Sequence, residues 1–304
     1  YVCPECKKKF YEETPWLAKY QRMTKRMIMG ILEALRKLNT YTSVAKEYGI
    51  STTTVMRVFD HISYPAPELP VALSIDEFKG NTGGEKYNCI IADPLNHKVL
   101  DILPKRYDWY LQSYFLKRSK EERDRVQIFV SDMWKPYQTT AKEQFENSMR
   151  VIDKYHWYRQ VLWAFERVRK DAQKHLSSEY RKYFKHSKKL LLKQFPELND
   201  EDKQAVNIML YASPDLSTAH FYKEEFQKII RVNKRAEAKK LMDEWISSAS
   251  ECGISSLEKS AKTLTNWKRE ILDSFTTTCT NGFIEGCNNK IKVLKRNAYG
   301  LQDF

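Results

Sequence analysis

Apolar residues along this chain change their spacing twice, and the changes divide it into helical, strand-like and again helical stretches. From Met23 to Leu38 they recur at helical spacing (Met23, Met27, Ile31, Leu35, Leu38), which predicts a helix ending at Asn39. Tyr41 to Phe59 reads as a helix-turn-helix. Ala45 permits close helix packing, Gly49 supplies the positive φ of the turn, Ser51 caps the second helix, and Val55, Val58 and Phe59 face the core. Pro65, Pro67 and Pro70 then form a stiff linker. From Val71 the period becomes that of strands. Val71–Phe78, Tyr87–Asp93 and Val99–Leu103 predict an antiparallel meander with turns at Gly80–Gly84 and Asp93–Asn96. A helix over Tyr107–Leu116, a buried strand over Val126–Val130, a helix over Pro136–Phe145 and a strand over Met149–Asp153 follow. Three strands, then alternating helix and strand, is the ribonuclease-H-like order: an α/β fold with a mixed sheet and helices on its faces. From Trp157 to about Phe275 the pattern is helical, with apolar stripes at Leu162, Phe165 and Val168 and again at Leu190–Leu192, Val206–Leu210, Phe226–Ile230 and Leu241–Trp245.

Charge narrows the partners. The 304 residues carry 52 Lys and Arg against 39 Asp and Glu, a net of +13 with a pI near 9.3. Such an excess suits a polyanion, and nucleic acid is the commonest. The excess is uneven: residues 157–194 hold 11 Lys or Arg against 3 Asp or Glu, so this helical stretch is expected to hold DNA. No apolar run approaches the roughly 20 residues of a membrane span, and no signal peptide is visible. Six cysteines without framework spacing point to a reducing, cytoplasmic setting. Cys3-Pro-Glu-Cys6 resembles one knuckle of a zinc ribbon, whose second cysteine pair would precede Tyr1. Both ends of the chain read as truncated.

Three acids recur in settings that call for a cation. Asp76 in Ser-Ile-Asp-Glu-Phe and Asp132 in Val-Ser-Asp-Met-Trp each close a strand-like apolar run, and Glu285 lies in a helical segment, Asn281-Gly-Phe-Ile-Glu-Gly-Cys-Asn-Asn-Lys290. A carboxylate at the end of a buried strand is costly unless something binds it, and a divalent cation is the usual answer. Phosphodiester cleavage and strand transfer need the attacking and leaving oxygens stabilised together, which two Mg²⁺ ions roughly 3.5–4 Å apart achieve. On that reading Asp76 bridges both ions, Asp132 holds one and Glu285 the other, with Mn²⁺ able to replace Mg²⁺. Cys–His chemistry fits less well, because the six histidines show no pairing with the cysteines.

The helix around Glu285 adds detail. Ile284, Cys287, Ile291 and Leu294 share a face expected to pack on the sheet, while Asn281, Asn288 and Asn289 flank Glu285 to orient it or to contact DNA. Lys290, Lys292, Lys295 and Arg296 suit a phosphate backbone. Asp153 and His156 follow a strand; His156 is either a contact to the scissile phosphate, a partner of Asp132 or a structural histidine. Trp134, Trp157 and Trp163 are candidates for stacking on splayed bases or for core packing. Thr52, Thr53, Thr54 and Arg57 are the exposed positions expected to meet the major groove.

The segments Ser74–Phe78, Ser131–Trp134, Asp153–His156 and Asn281–Gly300 together resemble bacterial insertion-sequence transposases of the DDE class, of the ISL-three type. The resemblance runs over most of the chain from Cys3 onward and is weakest in the helical stretch. It implies a partial zinc-binding segment over residues 1–18 and a helix-turn-helix domain over 19–64. It further implies a ribonuclease-H-like catalytic domain in two parts, 71–156 and 276–304, split by a helical insertion over 157–275. By motif, the implied catalytic acids are Asp76, Asp132 and Glu285. The implied partners are double-stranded DNA, as terminal inverted repeats and target, and further copies of the chain in a homodimer or higher oligomer at the nucleoid. A transposase-derived repressor that no longer cuts, and a nuclease that cuts without joining, remain open alternatives.

Overall fold

A computed structural model describes residues 2–9, 15–17, 22–37, 39–60, 62, 67–177, 180, 184 and 187–297. Parts of the expectations above fall outside these residues: Leu38 and Pro65, the basic Arg181, Lys182 and Lys185, and the end of the last motif at 298–300. Contacts divide the chain into two compact units. One gathers the described residues before Pro67 and those from Ile291 to Asn297; the other runs Pro67–Lys290.

The N-terminal unit contains α1 (Lys25–Arg36), α2 (Tyr41–Tyr48) and α3 (Thr52–Asp60). Threonine hydroxyls start the first two: Thr24 accepts the Met27 N–H and Thr40 the Ser43 N–H. Gly49 ends α2 at φ 65°, where a side chain would be strained, and Ser51 Oγ accepts the Thr54 N–H at 3.2 Å. Ile31, Ala34, Val44, Ala45, Val55 and Val58 form the core. Phe59, expected inside, is 45% exposed. Val55 and Val58 centre the buried stripe of α3, and Phe59 falls at its edge, 6.0 Å from the Tyr41 ring.

The second unit is built on five strands: β1 (Ala72–Thr82), β2 (Glu85–Asp93), β3 (Lys98–Leu103), β4 (Ile128–Ser131) and β5 (Met149–Ile152), ordered β3-β2-β1-β4-β5. β1, β2 and β3 pair antiparallel, whereas β1–β4 and β4–β5 pair parallel. The first hairpin is tighter than expected. β1 runs through Gly80 to Thr82 and turns at Gly83 and Gly84, whose φ of 57° and 79° suit a two-residue turn. Gly80 stays in the strand because the Asn88 side chain fills the space a Cβ would need, held by Thr82 Oγ1 at 3.0 Å and the Pro104 carbonyl at 2.9 Å.

Side chains alternate across the sheet and sort into two layers. Leu73, Ile75 and Phe129 pack against α4 (Asp108–Phe115) and α6 (Lys135–Gln144), between which the short α5 (Lys120–Asp124) runs. Ala72, Val130 and Val151 point to the other face, where Cys279 covers them.

The remaining helices are α7 (Lys154–His175), α8 (Ser187–Leu192), α9 (Asp200–Tyr211), α10 (Pro214–Arg231), α11 (Arg235–Ser250), α12 (Ser255–Asn266), α13 (Lys268–Asp273) and α14 (Gly282–Asn297). Those from α7 to α13 close around Trp157, Phe165, Val206, Phe226, Met242, Trp245 and Leu257. Some of the positive charge of these helices is spent inside. Arg169 is buried against Glu166 at 2.6 Å and donates to Ser187 Oγ, which ties α7 to α8. Lys223, fully buried on α10, donates to the carbonyls of Leu191 (2.8 Å) and Lys193 (2.7 Å), so a cation closes the C-terminus of α8. No helix among the described residues is long and apolar enough to cross a membrane.

His220 makes this helical core sensitive to acid. Burial, and then the Lys223 charge, push its imidazole down to about 4 despite Glu224 at 3.6 Å. The unfolded chain therefore takes up a proton below about pH 6.5 that the folded chain refuses until about pH 4, and stability falls as pH drops through that window. In urea unfolding the wild type is expected to lose on the order of 1–3 kcal/mol relative to His220→Gln between about pH 7.5 and about pH 5, the variant cancelling the opposite contribution of carboxyls that both proteins share. The same pH dependence in both proteins contradicts this account.

Candidate active site

The parallel half of the sheet sets three aspartates abreast. The registers Ser74↔Val130 and Ser131↔Ile152, extended by two and by one residue, align Asp76 with Asp132 and Asp132 with Asp153. Alternation puts all three on the face of Ala72, Val130 and Val151. Asp132 and Asp153 directly follow β4 and β5. Asp76, expected at a strand end, lies inside β1 opposite Ile90 of β2, two residues past its last pairing with β4.

Burial makes this row electrostatically costly. The Asp76 carboxyl is pushed up to about 7, first by desolvation and then by the charges of Asp132, Glu77 and Glu285. Asp132 is likewise pushed up to about 7, by desolvation and then by Glu77; the Trp134 N–H, 3.1 Å from its Oδ1, and the cations of Arg106 and Arg159 act the other way. Among the described residues neither aspartate has a cation within ion-pair distance.

α14 crosses the row. Asn281 Nδ2 reaches the Ile75 carbonyl at 3.5 Å, and Asn288 Nδ2 reaches Asp76 Oδ2 at 2.9 Å and the Glu77 carbonyl at 3.4 Å. These asparagines straddle Glu285 on the helix and Asp76 on the strand, so they set where the acid-bearing turn sits. The buried stripe is accordingly Asn281, Ile284 and Asn288; Cys287, Ile291 and Leu294, expected to pack on the sheet, are only half-buried. A helix that lays amides over carboxylates must turn its polar positions inward, which the apolar spacing alone does not reveal. Phe283 stacks on His97 at 5.3 Å, and Asn289 and Lys290 are exposed.

Asp153 joins the two ends of the helical stretch. One of its oxygens caps α7 through the Tyr155 N–H at 3.0 Å, and the other accepts the Asn281 N–H at 2.9 Å. Ligand atoms of Asp153, His156 and Glu285 lie within 4.8 Å of one another. His156 is thus grouped with Asp153 and Glu285, and its Nδ1 lies 3.4 Å from Arg159. Burial, and then Arg159, lower its imidazole pKa.

The donor set fits a hard divalent cation. Oxygen predominates, and among the described residues the buried Asp76 and the half-buried Asp132 lack a cation and the buried Oδ1 atoms of Asn281 and Asn288 have no hydrogen-bond partner. Sequence reasoning undervalued Asp153 as a member of the row, and overlooked Glu77, Arg106, Tyr137 and Arg159. Glu77 sits on the opposite face of β1, paired with Arg106 at 2.6 Å and accepting from the Tyr137 hydroxyl at 3.3 Å. Arg106 lies 4.4 Å from both the Tyr87 and Trp134 rings. The Ser-Ile-Asp-Glu run carried a signal for Glu77; nothing local in the sequence marks Arg106.

The other candidate residues lie in the N-terminal unit or elsewhere on the helices. Thr53 and Arg57 are exposed on α3, Thr52 is half-buried, and the half-buried Thr54 engages Ser51 Oγ at 2.8 Å. Lys292 and Arg296 are exposed on α14 and Lys295 is half-buried. Cys3 and Cys6 occupy a turn closed by a Val2–Lys9 bridge, and the backbone N–H of Cys6 holds the Cys3 thiol below its usual value. Of the tryptophans, Trp157 is fully buried in the helical core, Trp134 packs on Arg106 and Tyr137, and Trp163 is 46% exposed.

The matches to known proteins agree with one another. A transposase family model of the ISL3 type covers residues 73–304, and the helix-turn-helix domain of transposase family ISL3 covers residues 12–63. The chain belongs to the ISL3 family of transposases. It is 26% identical over 312 residues to the transposase for insertion sequence element IS1001 of Bordetella parapertussis, an alignment spanning 99% of this chain and 76% of that protein. It is also 26% identical over 140 residues to the transposase for insertion sequence element IS1557 from two strains of Mycobacterium tuberculosis, covering 46% of this chain and 31% of the relative.

A buried Asp76 repelled by neighbouring carboxylates predicts a trade of stability for site chemistry. In metal-free buffer near neutral pH, Asp76→Asn is expected to raise the unfolding free energy by on the order of 1–3 kcal/mol, by relieving desolvation and repulsion at once. A lower melting temperature for this variant in scanning calorimetry means the carboxylate stabilises the fold.

Proposed function

We propose that this protein cuts and rejoins DNA at the ends of an insertion sequence, with Asp76, Asp132 and Glu285 as its catalytic acids and Mg²⁺ or Mn²⁺ as the metal. The observation that carries the reading is the buried Asp76 and the half-buried Asp132 set abreast, without a cation within ion-pair distance among the described residues, with Glu285 close enough to raise the proton affinity of Asp76. The strand order, with its antiparallel meander and parallel half, supports a ribonuclease-H-like catalytic domain in two parts, 71–156 and 276–304, interrupted by the helical stretch 157–275.

Two bound divalent cations would supply an activated water or 3′-hydroxyl oxygen and stabilisation of the leaving oxygen. The chain's own part is to hold those cations and the DNA. Asp76 and Asp132 present oxygens from adjacent strands, Glu285 adds a third carboxylate from α14, and Asn288 fixes the Asp76 carboxylate through its 2.9 Å bond. The tight grouping of Asp153, His156 and Glu285 favours a second arrangement, in which one cation sits at the β5 end of the row.

The N-terminal unit is the DNA reader. Thr53 and Arg57, with Thr52 beside them, face outward on α3, while Thr54 serves the cap. Lys290, Lys292, Lys295 and Arg296 on α14 supply further positive charge for phosphates. Cys3 and Cys6 fit half of a tetrahedral zinc site over residues 1–18. The partners are terminal inverted repeats and target DNA, with further copies of the chain joining in a synaptic complex in the cytoplasm, at the nucleoid.

Glu285→Gln keeps the side-chain volume and removes a cation ligand. With DNA carrying the element's own ends and Mg²⁺, nicking and strand transfer are expected to fall about a hundredfold or more while DNA affinity is retained. Cleavage that persists in the variant eliminates Glu285 as a catalytic acid; a wild-type chain that binds and never cuts favours the repressor reading.

Arg57→Ala is expected to weaken binding to the cognate end by about 1–3 kcal/mol if its guanidinium reads a base. Equal weakening on random DNA assigns Arg57 to phosphate alone.

A further inference from the structure

Two arginines stack on aromatic rings beside the acid row, and their charges have different fates. Arg106, between Tyr87 and Trp134, is closed by Glu77 at 2.6 Å. Arg159 lies 4.4 Å from the Trp163 ring and 5.3 Å from the Tyr155 ring, yet among the described residues no carboxylate is within ion-pair distance of it. Its hydrogen-bond contact is the 3.4 Å approach to His156 Nδ1, and its Nε is buried without a partner. A guanidinium is always charged and carries five N–H donors in a planar fork. With no carboxylate to neutralise it among the described residues, the half-buried guanidinium has terminal N–H groups that suit an anionic acceptor from outside the protein.

The surroundings say what kind. Tyr155, Arg159 and Trp163 fall at successive four-residue steps along one face of α7. Tyr155 is 53% exposed and Trp163 46% exposed. The ladder begins two residues after Asp153, and the Arg159 charge is felt by Asp132. A phosphate matches the open fork in charge and geometry. An aromatic face beside it matches a nucleobase, but bases inside a duplex have both faces covered by their neighbours. Only a nucleotide out of the stack can reach such a platform.

We propose that Tyr155, Arg159 and Trp163 form a subsite for an unpaired nucleotide next to the phosphodiester being cut, with its phosphate on Arg159 and its base stacked on Trp163. This rests on the acid row being the cutting site, and it adds that the DNA is opened there. The ladder is a substrate-binding element distinct from the acids, and it prefers single-stranded character at the cut.

Fluorescence anisotropy of the full chain in EDTA tests the idea, using a labelled duplex with a short oligothymidine extension and the same duplex blunt-ended. The wild type is expected to favour the extended DNA by about tenfold, as stacking of one base implies. Trp163→Ala and Arg159→Ala should each remove most of that preference and leave blunt-duplex affinity within about twofold, while Trp163→Phe should largely keep it. A 2-aminopurine placed in the extension should lose emission on binding the wild type and not on binding Trp163→Ala. No preference in the wild type, an equal loss on both DNAs, or unchanged 2-aminopurine emission overturns the proposal. These readouts involve neither metal nor cleavage. A Glu285→Gln variant that still cuts therefore removes the acid assignment without touching the binding result, and a failed preference removes the subsite without touching the acids.

Discussion

A buried and a half-buried carboxylate set side by side, with no cation within ion-pair distance among the described residues, govern the arrangement around them. Desolvation, with the Asp132 charge acting on Asp76 and the Glu77 charge on Asp132, raises both to about 7, an energetic burden that a fold under selection for stability alone would shed. The surrounding residues hold this burden in place. Asn288 donates to Asp76 from α14, the Trp134 N–H donates to Asp132, and the cations of Arg106 and Arg159 relieve Asp132 without ion-pairing to it. Such a pocket holds protons that a cation from outside the chain can displace near neutral pH.

The same constraint accounts for how the helical stretch is attached. Glu285 follows Asp132 only after α7 to α13 have intervened, so its placement depends on where the chain returns. Asp153 fixes both ends: it caps the outgoing α7 and accepts the Asn281 N–H at the start of α14. One aspartate thereby couples the folding of the helices to the position of the third acid. Cys279, packed against Ala72, Val130 and Val151, anchors the returning segment by apolar contact just before that turn.

Much of this was legible in the sequence. Helical spacing, the glycine at position 49 and the capping Ser51 located the helix-turn-helix, and strand-like apolar runs located all five strands of the sheet. The buried stripe of α14 was read correctly at Ile284 but misread at Cys287, Ile291 and Leu294, because its other inward positions are asparagines, which periodicity scores as surface. Phe59 was misplaced by one helical position, where an edge residue and a core residue have the same hydropathy. Gly80 suggested a turn, but its missing side chain makes room for Asn88 within the strand. Asp153 ranked below the other acids because its place in the row follows from the register between β4 and β5, a long-range fact no local motif carries. The Arg106 and Arg159 stacks depend in the same way on side chains brought together by the fold.

The central claim is that the acid row holds divalent cations at Asp76, Asp132 and Glu285. Anomalous diffraction from crystals grown with Mn²⁺ tests it most directly, because the peaks report position rather than activity. The account predicts density between Asp76 and Asp132, with a second peak shared by Asp76 and Glu285. Density confined to Asp153, His156 and Glu285, or none in the row, would contradict it.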